Sequence, residues 1–370
     1  MRCKLYLILL FLLVVGVHLT GQDLHFSYYQ FTPLNVNPAN AGAFSGSYRI
    51  SGIYSDKQAA IATRGFKTLT LSADAPIIRG IRKQDWVGLG VEADLIGSSG
   101  GVFDHNNTSE SVVAPGGFQS WTFIKVGAAY HLSLDKKQTN ILTLGAQFSS
   151  GSRNYFQLTQ KDARVNPQTG YIDQEIIQHN ANGSGQGGGQ NQDPNDKIST
   201  GHKDWTMGLL YNSKRKNADL KLGIAMEGLF RPVVSFNQQQ DSTENKYRGL
   251  NIHGAYDMAI NKRVNIIPGF YYYTLGPANA FNVNTHATYL LDPEKDLKLS
   301  TGLGVRNLRA LIFYAGAEFS DIKVGFAFDM DISTATIGSN SVGGFELCAS
   351  YMGKIYKKPK VKPVIFCPRL

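Results

Sequence analysis

Beyond its amino terminus, the 370-residue sequence lacks an apolar run long enough to form a transmembrane helix. Such a helix needs about 20 consecutive apolar residues, and in lipid only a closed β-barrel can replace it. The mature chain is therefore either soluble or a barrel. The 39 glycines, 18 tyrosines and 20 phenylalanines, with a mean hydropathy of -0.19, favour the barrel, because a polar lumen offsets an apolar exterior in any average.

The sequence also lacks the usual signatures of catalysis and of metal or nucleotide binding. It has no CxxC and no GxSxG, and the glycines at 187–189 are not followed by the Lys-Ser/Thr of a phosphate-binding loop. We therefore predict a protein that is not an enzyme and has no cofactor or metal. The histidines of the mature chain, which show no metal-binding spacing with a third ligand, are His25, His105, His131, His179, His202, His253 and His286.

One enzymatic alternative stays open, because serine–histidine hydrolases exist among outer-membrane barrels. In such an enzyme His131 or His253 would belong to the catalytic group. Each of the two histidines is better interpreted as a polar residue at the end of a strand.

Cysteine is scarce, and the charge is moderately basic. Cys348 and Cys367 either never meet or form a disulfide in an oxidising periplasm. Much of the formal net charge of +9 comes from turns and from a tail at 354–370. Because these basic residues are scattered over connections and the chain is exported, nucleic acid is not an expected partner.

The first residues predict export from the cytoplasm. Arg2 and Lys4 precede an apolar segment at 5–17, and small or polar residues follow at Thr20 and Gly21. This order is typical of a secretory signal peptide over 1–21, cleaved before Gln22. A transmembrane anchor is the alternative, but the apolar run is too short for one.

The clearest strand pattern lies at 297–332. Residues 297–306 and 322–332 alternate strictly between apolar and small or polar positions, and a third strand-length run at 309–319 separates them. Tight connections at 307–308 and 320–321 make the three runs a meander of antiparallel hairpins. Their length matches the roughly 9 to 11 residues that a tilted strand needs to cross a bilayer.

Extended over the chain, this pattern predicts an all-β fold, a transmembrane antiparallel up-and-down β-barrel of about 14 strands at 46–353. An even strand number is typical of single-chain outer-membrane barrels. The predicted strands are 46–55, 66–75, 86–97, 121–134, 139–150, 205–213, 218–228, 249–260, 262–274, 279–290, 297–306, 309–319, 322–332 and 342–352.

Connection lengths support an outer-membrane protein of a Gram-negative bacterium. If the first strand runs outward, the connections at 135–138, 213–217, 261, 292–296 and 320–321 face the periplasm and are short, and 76–84 is the one longer exception. The connections at 56–65, 98–120, 151–204 and 229–248 face outward and are long, whereas 275–278 and 307–308 are short. Soluble barrels have no reason to segregate loops in this way.

Two further patterns concern the outer end and the lipid interface. The long connection contains a run at 180–192 of almost only Gly, Asn, Gln and Ser, which we expect to be mobile, although it could also serve as a lid or docking arm. Trp86, Trp121 and Trp205 all open strands, where an interfacial aromatic girdle would place them.

The segment at 22–45 does not alternate, and it contains a predicted turn. Asn37 would cap a single helical turn, Pro38 would take its first position ahead of Ala39, and Gly42 would end it. The segment is either a plug inside the barrel lumen or a periplasmic lead-in to the first strand.

Charged residues on the inward face of the strands form a second candidate site. We interpret them as hydrogen-bonding and ion-pairing groups that hold a plug or water in the lumen. They are Glu92, Asp94, Lys221, Glu227, Arg306, Asp329, Asp331 and Glu346.

A series of short motifs runs through the mature chain in a fixed order. They are Gln22-Asp23 with Phe26-Ser27-Tyr28-Tyr29-Gln30, Asn37-Pro38-Ala39 with Ala41-Gly42, Leu71-Ser72-Ala73-Asp74-Ala75-Pro76, Ala129-Tyr130-His131-Leu132, Gly325-Phe326-Ala327-Phe328-Asp329 with Ser333, Phe345-Glu346-Leu347, and a basic tail ending Cys367-Pro368-Arg369. In this order they resemble the PorP/SprF family of outer-membrane proteins attached to the type IX secretion system. One departure is that Tyr54-Ser55-Asp56-Lys57-Gln58 stands where the family usually has an Arg and a Trp, so the role of that pair is not carried over.

The resemblance implies a non-enzymatic barrel that helps to export or retain a large surface adhesin bearing a C-terminal sorting domain, in some cases for gliding motility. Other implied partners are the periplasmic ring lipoproteins of the secretion system, which the basic tail could contact, besides outer-membrane lipid. The alternative from a different class is an outer-membrane channel or hydrophobic-ligand transporter.

Overall fold

The computed structural model describes residues 26–57, 66–82, 84–98, 119–156, 197–232, 245–276, 278–332 and 342–355. The predicted signal peptide, the run at 180–192, the tail beyond Ile355 with Cys367, and His25, His105 and His179 lie outside these ranges. Within them, Cys348 is a buried free thiol.

Fourteen antiparallel strands form a closed barrel in which each strand pairs with its neighbours in sequence. The first and last strands close it, from the pair Tyr48 and Gly353 to the pair Lys57 and Gly344. The predicted transmembrane barrel is therefore confirmed. The strands are β1 Tyr48–Lys57, β2 Phe66–Arg79, β3 Trp86–Ser98, β4 Gln119–Ser133, β5 Asn140–Phe156, β6 Lys197–Lys214, β7 Ala218–Glu227, β8 Gly249–Ala259, β9 Val264–Leu275, β10 Ala278–Asp292, β11 Leu297–Arg306, β12 Ala310–Phe319, β13 Ile322–Asp331 and β14 Val342–Gly353.

Three strands, β2, β5 and β6, are at least four residues longer than the sequence pattern predicts. The prediction ended β2 at residue 75, but β2 continues to Arg79 across a register shift between Pro76 and Ile78, because a bulge accommodates proline in a paired strand. The pairing of β5 with β6 extends to Phe156 and Lys197, beyond the predicted limits at 150 and 205. The added residues are mostly polar, so the apolar alternation that marks a lipid-facing strand is missing from them.

The two ends of the barrel differ in their connections. The strands are joined at one end by six short turns, the longest spanning 80–85 and 134–139, and at the other end by the connections 58–65, 99–118, 157–196, 228–248 and 332–341, besides two short ones. Short turns face the periplasm in outer-membrane barrels. We call these the periplasmic end and the outer end.

The strands alternate between an apolar outer face and a polar inner face. In β13, Val324 and Phe326 are exposed on the outside, whereas Ala327 and Asp329 are buried inside. Exposed apolar side chains lie on the outer face of every strand except β9, which suits contact with lipid tails. No helix in the described ranges has the length and apolarity to cross a membrane.

The predicted aromatic girdle is wrong for two of its three tryptophans. Trp86 stacks on the buried ring of His131, and Trp121 is itself buried, so both face the lumen. Trp205 faces outward and packs against Phe148. The position of a residue along a strand sets its depth in the membrane. Whether it faces lipid or lumen depends on which of the two alternating sets of strand positions it belongs to.

Three short helical elements precede the first strand. They are a 3₁₀ turn at Tyr29–Phe31, the helix α1 at Pro33–Val36 and a second 3₁₀ turn at Pro38–Asn40. Prolines open α1 and the second turn, where a missing N–H costs no hydrogen bond.

Val126 and Leu134 allow a test of the lipid-facing surface at two depths. Both are exposed on the outer face, Val126 midway along β4 and Leu134 just beyond its periplasmic end. We expect Val126→Arg to lower the free energy of unfolding by about 2–4 kcal/mol and Leu134→Arg by at most about 1 kcal/mol, because the cost of arginine falls with distance from the bilayer midplane. Urea unfolding in phospholipid vesicles measures both, and equal costs would contradict the membrane depth assigned here.

Candidate functional site

Residues 26–45 lie inside the barrel, and we call them the plug. They bond to wall residues on strands all around the lumen, among them Asp74 on β2, Glu92 on β3 and Asn251 on β8. The plug begins in the outer half, beside Arg306 at the outer end of β11. It then runs to the periplasmic end, where β1 begins.

The second 3₁₀ turn is fastened to the wall through one side chain. Asn37 is fully buried and caps the turn by accepting a hydrogen bond from the Ala39 N–H at 2.9 Å. Its Nδ2 donates to the carbonyls of Leu209, at 2.9 Å, and Ile224, at 3.2 Å, on β6 and β7. One asparagine therefore both shapes the turn and attaches it to two strands.

Three glycines on adjacent strands make room for this turn. A Cβ at Gly145 would lie 2.3 Å from the Ala39 nitrogen, and one at Gly208 would lie 2.0 Å from Asn37 Oδ1. At Gly223 it would lie 2.9 Å from Asn37 Nδ2. Real Cβ contacts are longer than these, so the plug backbone lies directly on a patch of wall without side chains.

The outer part of the plug is held by buried charges. The backbone N–H groups of Ser27 and Tyr28 each donate to the carboxylate of Glu346 at 2.8 Å. The Ser27 hydroxyl donates to Asp329 at 2.9 Å and accepts from Arg306 at 2.7 Å, while Arg306 and Asp329 pair at 2.6 Å. Glu346 also pairs with Lys57 of the wall at 3.8 Å, so each of these carboxylates has partners on both the plug and the wall.

A second charged contact holds the periplasmic part. Gly42, which has a φ of 71°, donates its N–H to Asp74 at 2.7 Å. Arg49 binds the same carboxylate through two nitrogens, at 2.9 and 2.8 Å, and also donates to the Asn40 carbonyl. Trp86 donates to the Gly42 carbonyl at 3.1 Å. The plug is therefore fixed at both of its ends.

His131 and His253 contact the plug. His131 Nε2 donates to the Ala41 carbonyl at 2.8 Å, and its Nδ1 lies 2.9 Å from the Thr143 hydroxyl. His253 Nε2 lies 3.3 Å from Asn37 Nδ2. The interpretation of both as strand-end residues is wrong for His253, which lies in the middle of β8.

Aromatic rings fill the space between these polar contacts. Tyr28 stacks on His286 with ring centroids 5.3 Å apart and meets Tyr314 edge-on at 5.0 Å. Tyr29 stacks on Tyr271 at 5.0 Å. Aromatic side chains of the plug thus interleave with those of the wall.

The structure places the other predicted lumen charges in separate groups. Glu92 and Asp94 flank Lys125 at 2.9 and 2.7 Å, and Asn35 of the plug donates to Glu92 at 3.3 Å. Glu227, by contrast, lies nearer the outer end, where it accepts a hydrogen bond from Tyr273.

Lys221 and Asp331 lie apart from these groups. Lys221 is on the periplasmic half of β7 and interacts electrostatically with Arg49 and Asp74. Asp331 is half-buried at the outer end of β13, two residues beyond Asp329. The eight predicted residues therefore line the lumen at several heights instead of forming one site.

Sequence reasoning missed several residues that matter for this arrangement. Arg49 and Asp74 form the periplasmic contact, and Lys125 and Lys246 each bridge two carboxylates. Asp74 occupies an inward position of β2, so strand parity could have identified it. Its contact with Gly42 is not visible in the sequence, because it requires the plug to be inside the barrel.

A cavity of about 110 Å³ remains in the outer half of the lumen, and we call it the outer vestibule. Phe26 and Asn35 of the plug form part of its lining, and the wall adds aromatic rings and ion pairs. Asp204 accepts from Lys246 at 2.8 Å there. The wall residues are Thr68, Thr70, Asp94, Ile96, Trp121, Phe123, Lys125, Gln147, Ser149, His202, Asp204, Thr206, Glu227, Lys246, Asn251, Tyr271, Tyr273 and Leu275.

Cys348 offers a native reporter of plug position, because it is buried in a cluster with Tyr28. In a Cys367→Ser background we expect Glu346→Gln to raise the rate at which a water-soluble maleimide modifies Cys348 about 10- to 100-fold. The loss of one charge-assisted hydrogen bond to the plug, about 1.5–3 kcal/mol, corresponds to that factor. Mass spectrometry of the labelled protein gives the rate.

Glu318→Gln is the matched control, because Glu318 pairs with Lys298 and Lys323 near the periplasmic end of the wall. It should leave the Cys348 rate unchanged. Equal rates in wild type and Glu346→Gln would contradict the role of Glu346 in holding the plug.

A comparison with solved structures found chains of low similarity. Similar solved structures include the toluene transporters TbuX of Ralstonia pickettii, 10% identical with a TM-score of 0.48 over 88% of this chain and 94% of that one, and TodX of P. putida, 9% identical with a TM-score of 0.48 over 92% and 97%. A FadL homologue of Pseudomonas aeruginosa is 10% identical, with a TM-score of 0.41 over 85% and 92%. Values this low carry no argument about function.

The search of curated proteins found no match. The family model described as type IX secretion system membrane protein PorP/SprF matches residues 19–351, most of the chain. Together with the fourteen-stranded barrel, this match locates the protein in the outer membrane. The chain belongs to the PorP/SprF family of type IX secretion system membrane proteins.

Proposed function

We propose that this barrel retains, or helps to secrete, one large cell-surface adhesin through the C-terminal sorting domain of that protein, in some settings for gliding motility. The observation that carries the proposal is the plug, which bonds to the wall around the whole lumen and leaves a cavity in the outer half. A barrel whose lumen holds a bonded plug and whose cavity lies toward the outer end suits an anchor better than a pore.

The main alternative, a channel or hydrophobic-ligand transporter, fits the lumen less well. A diffusing solute would have to displace a plug that is held at both ends by buried carboxylates, those of Glu346 and Asp74. An apolar ligand would also have to desolvate the ion pairs of Lys125 and Lys246 in the outer vestibule, which is unfavourable.

The lining of the outer vestibule supports a protein partner. Trp121, Phe123 and Tyr273 lie there beside charged and hydroxyl side chains. Large aromatic residues next to polar groups are typical of the central residues of protein interfaces.

We infer that the role is non-enzymatic. The hydrolase alternative required His131 or His253 to act as a base, but both histidines bond to the plug. These contacts with the plug support a structural role for both histidines. We also retain the periplasmic ring lipoproteins as proposed partners of the basic tail, which lies outside the described residues.

Co-purification tests the proposal directly. The protein, tagged at its carboxyl terminus, is extracted from outer membranes in mild detergent, and the proteins that accompany it are identified by mass spectrometry. We expect one large surface protein to co-purify with the barrel. Deletion of the C-terminal sorting domain of that surface protein should abolish its recovery. Recovery of the barrel alone would contradict the proposal.

A pair of neighbouring substitutions locates the contact. Thr206 faces the outer vestibule and Met207 faces lipid on the same strand. We expect Thr206→Trp to fill the cavity and lower recovery of the surface protein at least about tenfold, whereas Met207→Trp should leave recovery unchanged. Unchanged recovery with both variants would exclude the outer vestibule as the binding surface.

A further inference from the structure

The periplasmic end carries an uneven distribution of charge. Four turns that follow one another around the rim, β2–β3, β4–β5, β6–β7 and β8–β9, together with the last residues of β2 and β6, hold nine exposed basic residues in the described ranges. The acidic residues there are three, namely Asp85, Asp135 and Asp219, which pairs with Lys214 across β6 and β7. We call this half of the rim the basic crescent. Its basic residues are Arg79, Arg82, Lys136, Lys137, Lys214, Arg215, Lys216, Lys262 and Arg263.

The rest of the rim has the opposite character. The turn between β10 and β11 contains Glu294 and Asp296, with Lys295 as its basic residue, and Asp321 in the next turn pairs with Lys354 at 2.8 Å. The basic excess is therefore confined to one side. A scattered background of surface lysines would not divide the rim in this way.

Two of the three acidic residues of the basic crescent accept hydrogen bonds inside the turns. Asp85 accepts hydrogen bonds from Tyr130, at 2.7 Å, and from the Ser133 N–H. Asp135 accepts from the Thr139 hydroxyl and from backbone N–H groups of its own turn, and these bonds lower its pKa to about 2. Both carboxylates therefore order the rim on which the basic side chains stand.

Hydrogen bonds also join each turn to the next. Gln138 donates to the Gln84 carbonyl at 2.7 Å, Arg82 donates to the Ser133 carbonyl at 3.0 Å, and the Lys214 N–H donates to Thr139 at 2.7 Å. The Ala259 N–H, next to the β8–β9 turn, donates to the Asn217 carbonyl at 3.0 Å, so the four turns form a connected belt. A surface that is ordered before binding loses less conformational freedom when a ligand arrives.

The depth of the basic crescent is set by its apolar neighbours. Ile81, Leu134 and Ile260 are exposed large apolar residues at the strand ends, and basic residues follow each of them within three positions. At about 3.3 Å per residue, the charged groups lie within about 10 Å of the last lipid-facing side chain. The headgroup region beyond the hydrocarbon core is about 5–8 Å thick, so these charges reach the phosphate layer.

We propose that the basic crescent is a binding site for the phosphate groups of anionic phospholipids in the periplasmic leaflet of the outer membrane. Arg and Lys side chains bind phosphate oxygens through charge-assisted hydrogen bonds, and arginine does so with two parallel donors. Basic residues beside a membrane are attracted to anionic lipid. An acidic protein is the competing ligand, but its surface would have to enter the headgroup layer to reach side chains at this depth.

Native mass spectrometry of the full-length protein tests the site. The protein is exchanged into detergent with equal amounts of phosphatidylglycerol and phosphatidylethanolamine, and the lipids that stay bound are counted. We expect wild type to retain several-fold more phosphatidylglycerol. Lys136→Gln, Lys137→Gln, Lys262→Gln and Arg263→Gln together should lower this preference at least about fivefold.

The matched control removes four positive charges nearer the outer end. Lys203→Gln, Arg231→Gln, Arg248→Gln and Arg309→Gln together should leave the lipid preference unchanged. An equal loss in both variants, or none in the crescent variant, would overturn the proposal.

Two further experiments distinguish a lipid phosphate from a free phosphate, and a lipid ligand from a protein ligand. Millimolar glycerol phosphate should not displace the bound phosphatidylglycerol, and displacement would mean that a free phosphate suffices. In membrane extracts, a crescent variant that keeps its phosphatidylglycerol but loses an acidic protein would identify a protein-docking surface and overturn the lipid site.

Discussion

The structure depends on how buried charge is satisfied inside the barrel. Closing the sheet pairs every strand with two neighbours, but it leaves Glu346, Asp329 and Asp74 facing an enclosed lumen. A buried carboxylate is costly unless it is paired and hydrogen-bonded. Basic residues of the wall and N–H or hydroxyl groups of the plug supply those partners together, so each carboxylate depends on both the wall and the plug.

The dependence of the wall and the plug on each other links local sequence to function. Asn37 shapes a turn and attaches it to two strands, and glycines at 145, 208 and 223 let that turn lie against the wall. The plug consequently occupies the middle of the lumen and leaves space in its outer half. The proposed anchoring of a surface protein rests on that division, with the bonded plug on the periplasmic side and a cavity lined by aromatic rings and ion pairs on the outer side.

The strands could be predicted from the sequence because apolar alternation is local, and the fourteen strands appear where the pattern indicates them. Non-local features could not be predicted. The sequence places Trp86 and Trp121 in a lipid girdle, because it shows their position along the strand. Whether they face the lumen depends on the register of the whole barrel. Likewise, the contact between Gly42 and Asp74 joins residues whose proximity follows only once the plug has entered the lumen.

Ion conductance in a planar bilayer tests the central claim, that the plug seals the barrel, most directly. With the wild-type protein inserted, we predict no steady conductance, because the contacts of Ser27, Asn37 and Gly42 hold the plug across the lumen. A stable open conductance of the unmodified protein under the same conditions would contradict the account and would favour a channel.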